Sequence, residues 1–351
     1  MAQHQRIKGI DNLNSIKNLV GNTPMVKITY TYKSKQFVIF AKLEYYNFSG
    51  SIKDRMAYHI LSKSYNEGLI KQGDIIVEAT SGNTGIAFSA QGRALGHTVI
   101  IYMPNWMSQE RMSIINSYGA EIRLVSKEEG GFLGSIARAE EMGKTQPNIF
   151  LPRQFDNNLN CEAHYTSTAP EIWAQLHSIG LTPEIFVAGV GTGGTVMGVN
   201  KYLKTRNPKA KAHPLEPSNS PTMSTGSCIG KHRIQGISDE FIPSIVKLDQ
   251  LDKIIEVDDG DSIIMAQKLA KVLGLGVGIS SGGNFLGAVK LQQENPDANV
   301  VTVFSDCNKK YLSTDYSKQE PIKDDFLSTD IELISQETIL VSREDVAKQV
   351  I

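Results

Sequence analysis

From Asp74 onward the chain alternates short apolar runs with amphipathic stretches. Strand-like DIIVEA (74–79), TVIIYMP (98–104) and EIRLV (121–125) are separated by helix-like TGIAFSAQGRAL (84–95) and SQERMSIINSYG (108–119). The rhythm resumes with EIFVAG (184–189), GTVMGVNKYLK (194–204), IIEV (254–257), DSIIMAQKLAKVL (261–273), FLGAVKLQQ (285–293) and VVTVF (300–304). Strands buried on both faces read as continuous apolar runs, and their alternation with helices places them in parallel sheets covered by helices. The pattern predicts an α/β fold of two doubly wound lobes. Between the rhythmic stretches, residues from about Gly130 to Glu162 mix Gly, Pro and Asn with weak periodicity, so the chain is expected to cross between lobes there. Past Thr314 the charge-rich KQEPIKDDFLS and the residues C-terminal to it lack a long apolar run, and a surface extension that reaches a partner subunit is expected.

Composition narrows the function classes. At 351 residues and 40% hydrophobic content the chain can bury a large core around a cleft. Thirty-six basic against thirty-seven acidic residues leave a net charge of -1, so no global field draws in nucleic acid or an anionic membrane. A small-molecule ligand is the better expectation. Cys161, Cys228 and Cys307 are widely spaced and without CxxC pairing, which argues against a disulfide framework and a zinc site. Residues 1–10, MAQHQRIKGI, have no apolar run of the kind that leads a chain into export, and no stretch approaches the roughly 18 apolar residues of a membrane span. A soluble, unexported protein of a reducing cytoplasm, holding no metal, is expected.

Three times an apolar strand runs into a small-residue loop and then a helix: EATSGNTGIAF (78–88), AGVGTGGTVMG (188–198) and VGISSGGNFLGA (277–288). Backbone N–H groups at such a helix start favour an anion, glycine allows the close approach, and Ser or Thr adds hydroxyl donors. Three such loops suit a ligand carrying both a phosphate and a carboxylate. The middle loop, Gly189-Val190-Gly191-Thr192-Gly193-Gly194, also satisfies G-x-G-x-x-G, and Glu216 follows it by about 20 residues, as a dinucleotide site requires. A nicotinamide enzyme is therefore a competitor. Against it, the loop sits past the middle of the chain, and the Thr192 and Thr195 hydroxyls suit a terminal phosphate better than a pyrophosphate pressed on bare backbone.

One lysine stands out by position. In Asn47-Phe48-Ser49-Gly50-Ser51-Ile52-Lys53-Asp54-Arg55 a Gly-Ser turn enters a helix, with Ser49 or Ser51 expected as cap and Lys53 at its start. The positive end of the helix dipole favours a neutral amine there, one able to act as nucleophile and base. Taken alone, a lysine beside Asp and Arg reads as a solvated surface residue.

Together these segments resemble the cysteine synthase and cystathionine β-synthase family, fold type II pyridoxal-phosphate enzymes built like the tryptophan synthase β-subunit. The likeness runs from VGNTPMV (20–26) to YLST (311–314) with its motifs in family order. The resemblance implies that Lys53 is the lysine that carries pyridoxal 5'-phosphate as a Schiff base. It implies that Asn83 of TSGNTG (80–85) bonds the cofactor's 3'-oxygen, and that Thr80, Ser81 and Thr84 close on the substrate's α-carboxylate. Gln154 and Phe155 of RQF match the carboxylate-side Gln and its aromatic neighbour. Gly191, Thr192, Gly193, Gly194 and Thr195 match the cup for the 5'-phosphate, and Gly236 of HRIQGISDEF (232–241) matches the glycine loop facing the substrate. The family also implies a larger cofactor-binding lobe (1–47 and 157–325), a smaller mobile substrate-closing lobe (48–156) and a C-terminal extension (326–351). Amino-acid substrates, a homodimer and the C-terminal tail of a serine acetyltransferase are the implied partners.

The implied chemistry is β-replacement on a serine-derived amino acid, with O-acetylserine and sulfide giving cysteine and acetate. Cystathionine synthesis and a cysteine β-lyase-like release of sulfide are the alternatives, and a non-catalytic protein of the same fold is the remote one. Two departures from the family pattern carry chemistry. Aligning FSDCNKKYLST (304–314) on Tyr311 puts Cys307 where the family has Ser or Thr beside the pyridine nitrogen, whereas a one-residue shift puts Asp306 there. Ser238-Asp239-Glu240 replaces small residues, and Asp239 is expected to face the second substrate. His164, His232, Trp106 and Trp173 are expected to be structural.

Overall fold

The computed structural model describes residues 8–80, 82–227, 229–238 and 240–350, so Ser81, Cys228 and Asp239 lie outside the described residues. The chain divides into two compact units, Met1–Gly21 with Asn47–Asn160, and Asn22–Tyr46 with Cys161–Ile351. Two expected boundaries shift: residues 8–21 belong with the unit expected to be the smaller lobe, and the chain crosses into the second unit at Asn160–Cys161.

Strands are numbered along the chain as β1 Met25–Tyr32, β2 Lys35–Leu43, β3 Ile75–Ala79, β4 Thr98–Pro104, β5 Glu121–Val125, β6 Ile149–Phe150, β7 Ile185–Gly189, β8 Lys211–Pro217, β9 Ile255–Val257, β10 Val300–Phe304 and β11 Ile331–Ile339. The principal helices are α1 Lys8–Lys17, α2 Lys53–Asn66, α3 Asn83–Ala94, α4 Gln109–Ser117, α5 Gly131–Thr145, α6 Ala169–His177, α7 Gly194–Arg206, α8 Asp259–Leu273 and α9 Ile279–Glu294.

In the first unit the sheet runs β5-β4-β3-β6, all parallel. Period-two alternation sorts its side chains onto two buried faces. Val99, Ile101 and Met103 of β4 pack with Ile76 and with Met56, Ile60, Ile86 and Ile115 of the helices. Ile100 and Tyr102 face the opposite side, with Val77, Ala79, Ala139 and Met142. The continuous apolar run TVIIYMP is thus a strand covered on both sides. The stretch expected to be a crossing contains the 15-residue α5. Its helical pattern is obscured by Gly134 and Gly143, where a Cβ would stand 2.2 Å from Glu129 O and 2.5 Å from Leu151 Cδ1.

In the second unit the sheet order is β11-β1-β2-β10-β7-β8-β9. The strands from β2 to β9 are parallel, and β11, β1 and β2 are antiparallel neighbours. The β1–β2 hairpin closes on Lys33 and Ser34, both in left-handed backbone at φ 49° and 63°. A two-residue hairpin turn demands that conformation and normally advertises it with Asn-Gly, which is absent here. The stretch read as a surface extension instead supplies β11, an edge strand on β1 with Ile331, Leu333 and Ile339 turned inward and Lys27 paired to Glu337 on the exposed face. Within VGNTPMV, Glu171 accepts from Asn22 N at 2.7 Å and pairs with the buried Lys42 at 2.7 Å, which fixes the entry to β1.

Candidate active site

The first unit carries Lys53, Thr80, Asn83, Thr84, Gln154 and Phe155. Lys53 opens α2 and is half-buried. The expected serine cap is not the device that holds it: Ile52 occupies the cap position without a side-chain bond, and Ser51 Oγ accepts from Lys53 N at 3.3 Å. The turn is tied down by Asp54, whose carboxylate accepts from Ser49 N and Ser49 Oγ, each at 2.8 Å. Gln91 Nε2 of α3 in turn donates to Asp54 O at 3.0 Å. Lys53 therefore stands on a backbone locked from both sides.

The turn after β3 is built for close approach. Thr80 N donates to Tyr102 O at 3.0 Å, and Thr80 Oγ1 accepts from Gly82 N at 3.1 Å. A Cβ on Gly82 would stand 2.4 Å from the buried Arg111 Cδ, so any other residue would have to displace that side chain. Asn83 begins α3, half-buried. Thr84 Oγ1 donates to Gln154 Oε1 at 2.6 Å, and Gln154 Nε2 donates to Ala79 O at 2.9 Å. Phe155 is buried edge-on against Phe132, ring centroids 5.7 Å apart. Thr84 and Gln154 are thus bonded to each other, and Gln154 is tied to Ala79, the residue before Thr80.

Sequence reasoning passed over one residue bonded to Gln154. Glu78, 5% exposed in an otherwise apolar strand, accepts from Ala79 N at 2.9 Å and Gln154 N at 3.3 Å. Burial pushes its carboxyl up to about 8, against the lowering effect of those two N–H groups. A single acid within the apolar run IIVEA was the available signal.

The second unit carries Gly191 to Thr195, Gly236 and Cys307. Between β7 and α7 the chain makes a cradle that only glycine permits. A Cβ on Gly191 would lie 2.3 Å from Gly236 O, and one on Gly193, whose φ is 86°, would lie 2.2 Å from Val246 Cγ2. Buried Thr192 accepts through Oγ1 from Gly194 N at 3.4 Å, and Gly194 starts α7. Half-buried Thr195 lies 3.3 Å through Oγ1 from His164 Nε2, and His164 Nδ1 lies 2.8 Å from Thr168 Oγ1. His164 thereby braces the cradle from the π-helical turn His164–Thr168.

Gly236, at φ 92°, and Ser238, at φ 52°, shape the loop that closes on the cradle. Ser238 N donates to Val190 O at 2.7 Å, and His232 Nε2 lies 3.0 Å from Ser238 O, with burial lowering the imidazole pKa. Glu240 is exposed.

The third small-residue loop is not an anion cup. Helix α9 already begins at Ile279, so Ser281, Gly282 and Gly283 lie inside it. Ser281 Oγ accepts from Ser305 N at 3.0 Å, Asn284 links Gly189 N to Val303 O at 2.8 Å each, and a Cβ on Gly282 would meet Ser262 O at 2.2 Å. These small residues serve packing of α9 on α8. Glu216 is likewise spent on structure, accepting from Met223 N at 2.6 Å and Ser224 N at 3.0 Å, which removes the acid that a dinucleotide ribose would need.

The segment after β10 separates the two residues that compete for one position. Asp306 is buried, and its Oδ2 accepts from Tyr311 OH at 2.8 Å while Gly278 N donates to its carbonyl at 3.0 Å. Cys307 has a half-buried free thiol, and its backbone forms an antiparallel β-bridge with Val277. Beside it the Tyr45 hydroxyl is pushed up to about 12, chiefly by burial, with Tyr46 and Cys307 adding to the shift.

A family model described as "Pyridoxal-phosphate dependent enzyme" matches residues 16–306. A probable cysteine synthase of Bacillus subtilis is 40% identical over 299 residues, 85% of this chain and 96% of that protein. The solved structure of a hydrogen sulfide-producing enzyme from Fusobacterium nucleatum is 57% identical, with TM-score 0.92 over 94% of this chain and 99% of that one. A cysteine synthase from Entamoeba histolytica has TM-score 0.81 at 34% identity over 90% of this chain and 94% of its own. Agreement over nearly the full length of each relative carries the cofactor as well as the fold, and the chain belongs to the pyridoxal-phosphate-dependent enzymes, as one of the cysteine synthase type.

Proposed function

We propose that the chain performs β-replacement on O-acetylserine, forming the Cβ–S bond of cysteine from sulfide as the Cβ–O bond breaks and acetate leaves. The observation that carries the reading is the glycine cradle at 191–195, where two positions exclude any Cβ at the start of a helix. That donor set fits a dianionic phosphate ester: helix-start N–H groups and the Thr192 and Thr195 hydroxyls. Lys53 is assigned the carbonyl carbon of pyridoxal phosphate, Asn83 its 3'-oxygen and residues 191–195 its phosphate. Cys307 is assigned the pyridine nitrogen, because the Asp306 carboxylate already accepts from Tyr311.

Bound there, the cofactor supplies the electron sink that stabilises negative charge at Cα. The protein's own work is positioning and proton transfer. Thr80, Ser81, Thr84 and Gln154 bind the α-carboxylate, fixing the Cα–H bond. The Lys53 amine takes the α-proton at Nζ and returns it once sulfur has added. Cys307 would offer the ring nitrogen a thiol in place of a carboxylate, which would favour loss of the β-substituent. Closing on the substrate is assigned to residues 48–156 and the acceptor's entrance to Gly236 and Asp239. A cytoplasmic homodimer that binds a serine acetyltransferase tail completes the reading, on the family resemblance.

A second reading rests on the 57% identity to a hydrogen sulfide-producing enzyme. A related solved variant, with an Asp changed to Asn, holds an α-aminoacrylate intermediate. On that reading cysteine is the donor and sulfide the leaving group. Purified protein given O-acetylserine and sulfide should form cysteine and acetate in equal amounts. Sulfide release from cysteine alone, with no cysteine formed from O-acetylserine, would select the second reading, and neither product would overturn both.

A further inference from the structure

Glu78 has no part in the assignments above, yet it joins the hydrogen bonds that hold Gln154. We propose that Glu78 is a positioning residue, whose carboxyl oxygens fix the peptide N–H of Gln154 and so aim the Gln154 amide at the substrate's α-carboxylate. The inference rests on the reading of Gln154 as the carboxylate-side residue.

The bonds converge from three directions. Glu78 Oε2 accepts from Gln154 N at 3.3 Å, and Glu78 Oε1 from Ala79 N at 2.9 Å, so one carboxyl group joins the end of β3 to the Gln154 main chain. Asn160 Nδ2 donates to Gln154 O at 2.9 Å. The side-chain amide then gives one N–H to Ala79 O and accepts from Thr84 Oγ1. An amide has two N–H groups, and the second is the donor assigned to substrate.

The backbone entering this turn is strained. Arg153 sits in left-handed conformation at φ 53°, and its guanidinium is held by Glu140 through bonds of 2.7 and 2.9 Å at the surface. Strain of this kind persists where the surroundings over-determine it, and it concentrates at functional sites. Glu78 supplies the inner half of that restraint and the Arg153–Glu140 pair the outer half. A carboxyl group buried in an apolar strand is costly, and a Val or Ile would make a better strand. Its use for two main-chain N–H groups beside Gln154 gives that cost a purpose. The charged groups facing it are Glu140 and Arg153, besides its own two donors.

The test is a double-mutant cycle on the cofactor-loaded enzyme, with Glu78→Ala, Gln154→Ala and both together. Glu78→Ala should raise KM for O-acetylserine about tenfold, the equivalent of ~1.4 kcal/mol, while kcat stays within about twofold and the cofactor's visible absorbance is unchanged. The double variant should bind substrate no worse than Gln154→Ala. Glu78→Gln, which keeps an acceptor oxygen, should restore KM to within about threefold, and it stands in should the alanine variant fail to fold. A lowered melting temperature with unchanged KM, or additive effects in the double variant, would make Glu78 purely structural and overturn the inference. If Gln154→Ala itself left KM unchanged, the assignment of the carboxylate site would fall, and this inference with it.

Discussion

Replacing Glu78 by Gln should change how the protein's stability depends on pH, by an amount the structure sets. The carboxyl is raised from 4.5 to about 8, first by burial, with the Ala79 and Gln154 N–H groups holding it back. A raised carboxyl means that the folded state grips the proton more tightly than the unfolded one. The associated stability is fully present below pH 4.5 and is lost as pH rises through about 8. One pKa unit is worth about 1.4 kcal/mol, so the loss across that window is on the order of 5 kcal/mol, an upper figure because relaxation and water entry soften it. Glutamine does not titrate. The stability of the wild type relative to Glu78→Gln should therefore fall steadily as pH rises from 5 to about 8.5. Urea unfolding of both proteins at a series of pH values, followed by the fluorescence of Trp106 in a Trp173→Phe background, reads the unit that contains Glu78. Trp106 suits the purpose because it belongs to the unit that contains Glu78, where the Lys127 ammonium lies 5.4 Å from the centre of its ring. A stability difference that stays constant between pH 5 and 8.5 would refute the reasoning.

Gly191→Ala should weaken retention of pyridoxal phosphate about tenfold or more, since its Cβ would stand 2.3 Å from Gly236 O, and dialysis followed by absorbance checks it. Unchanged retention would mean that this loop does not hold the phosphate. Asp239→Asn should leave the step that releases acetate nearly intact and alter the step that consumes an acceptor by roughly tenfold, with the ranking of sulfide, homocysteine and water shifting. Stopped-flow measurement of the two halves separates them, and equal effects on both would remove Asp239 from the acceptor's entrance. Cys307→Ser should keep β-replacement within about threefold, whereas Cys307→Asp should slow it by tenfold or more by protonating the ring nitrogen, and kcat for O-acetylserine decides.

Much of the fold was legible because parallel strands covered on both faces leave unbroken apolar runs. TVIIYMP and VVTVF coincide with β4 and β10 to the residue. The hairpin of β1 and β2 was hidden, because Lys33 and Ser34 adopt the turn without the Asn or Gly that signals it. Strand β11 was hidden by having only one buried face: Ile331 and Leu333 alternate with exposed Glu332 and Ile334, and register shifts on β1 break the pattern. At the site, spacing identified the turn before Lys53 and the cradle at 191–195. It could not show that Ser281 and Asn284 are consumed by Ser305 N, Gly189 N and Val303 O, partners 24, 95 and 19 residues away. Glu78 escaped for the same reason, since its partner Gln154 lies 76 residues along the chain.

Lys53 carries the central claim most directly. Borohydride reduction of the purified protein, proteolysis and mass spectrometry would locate the covalently fixed cofactor on a single peptide. The peptide containing Ile52-Lys53-Asp54 should carry the pyridoxyl mass, and Lys53→Ala should abolish both the label and the visible absorbance. A pyridoxyl label on another lysine, or a wild-type protein that takes up no pyridoxal phosphate, would contradict the assignment.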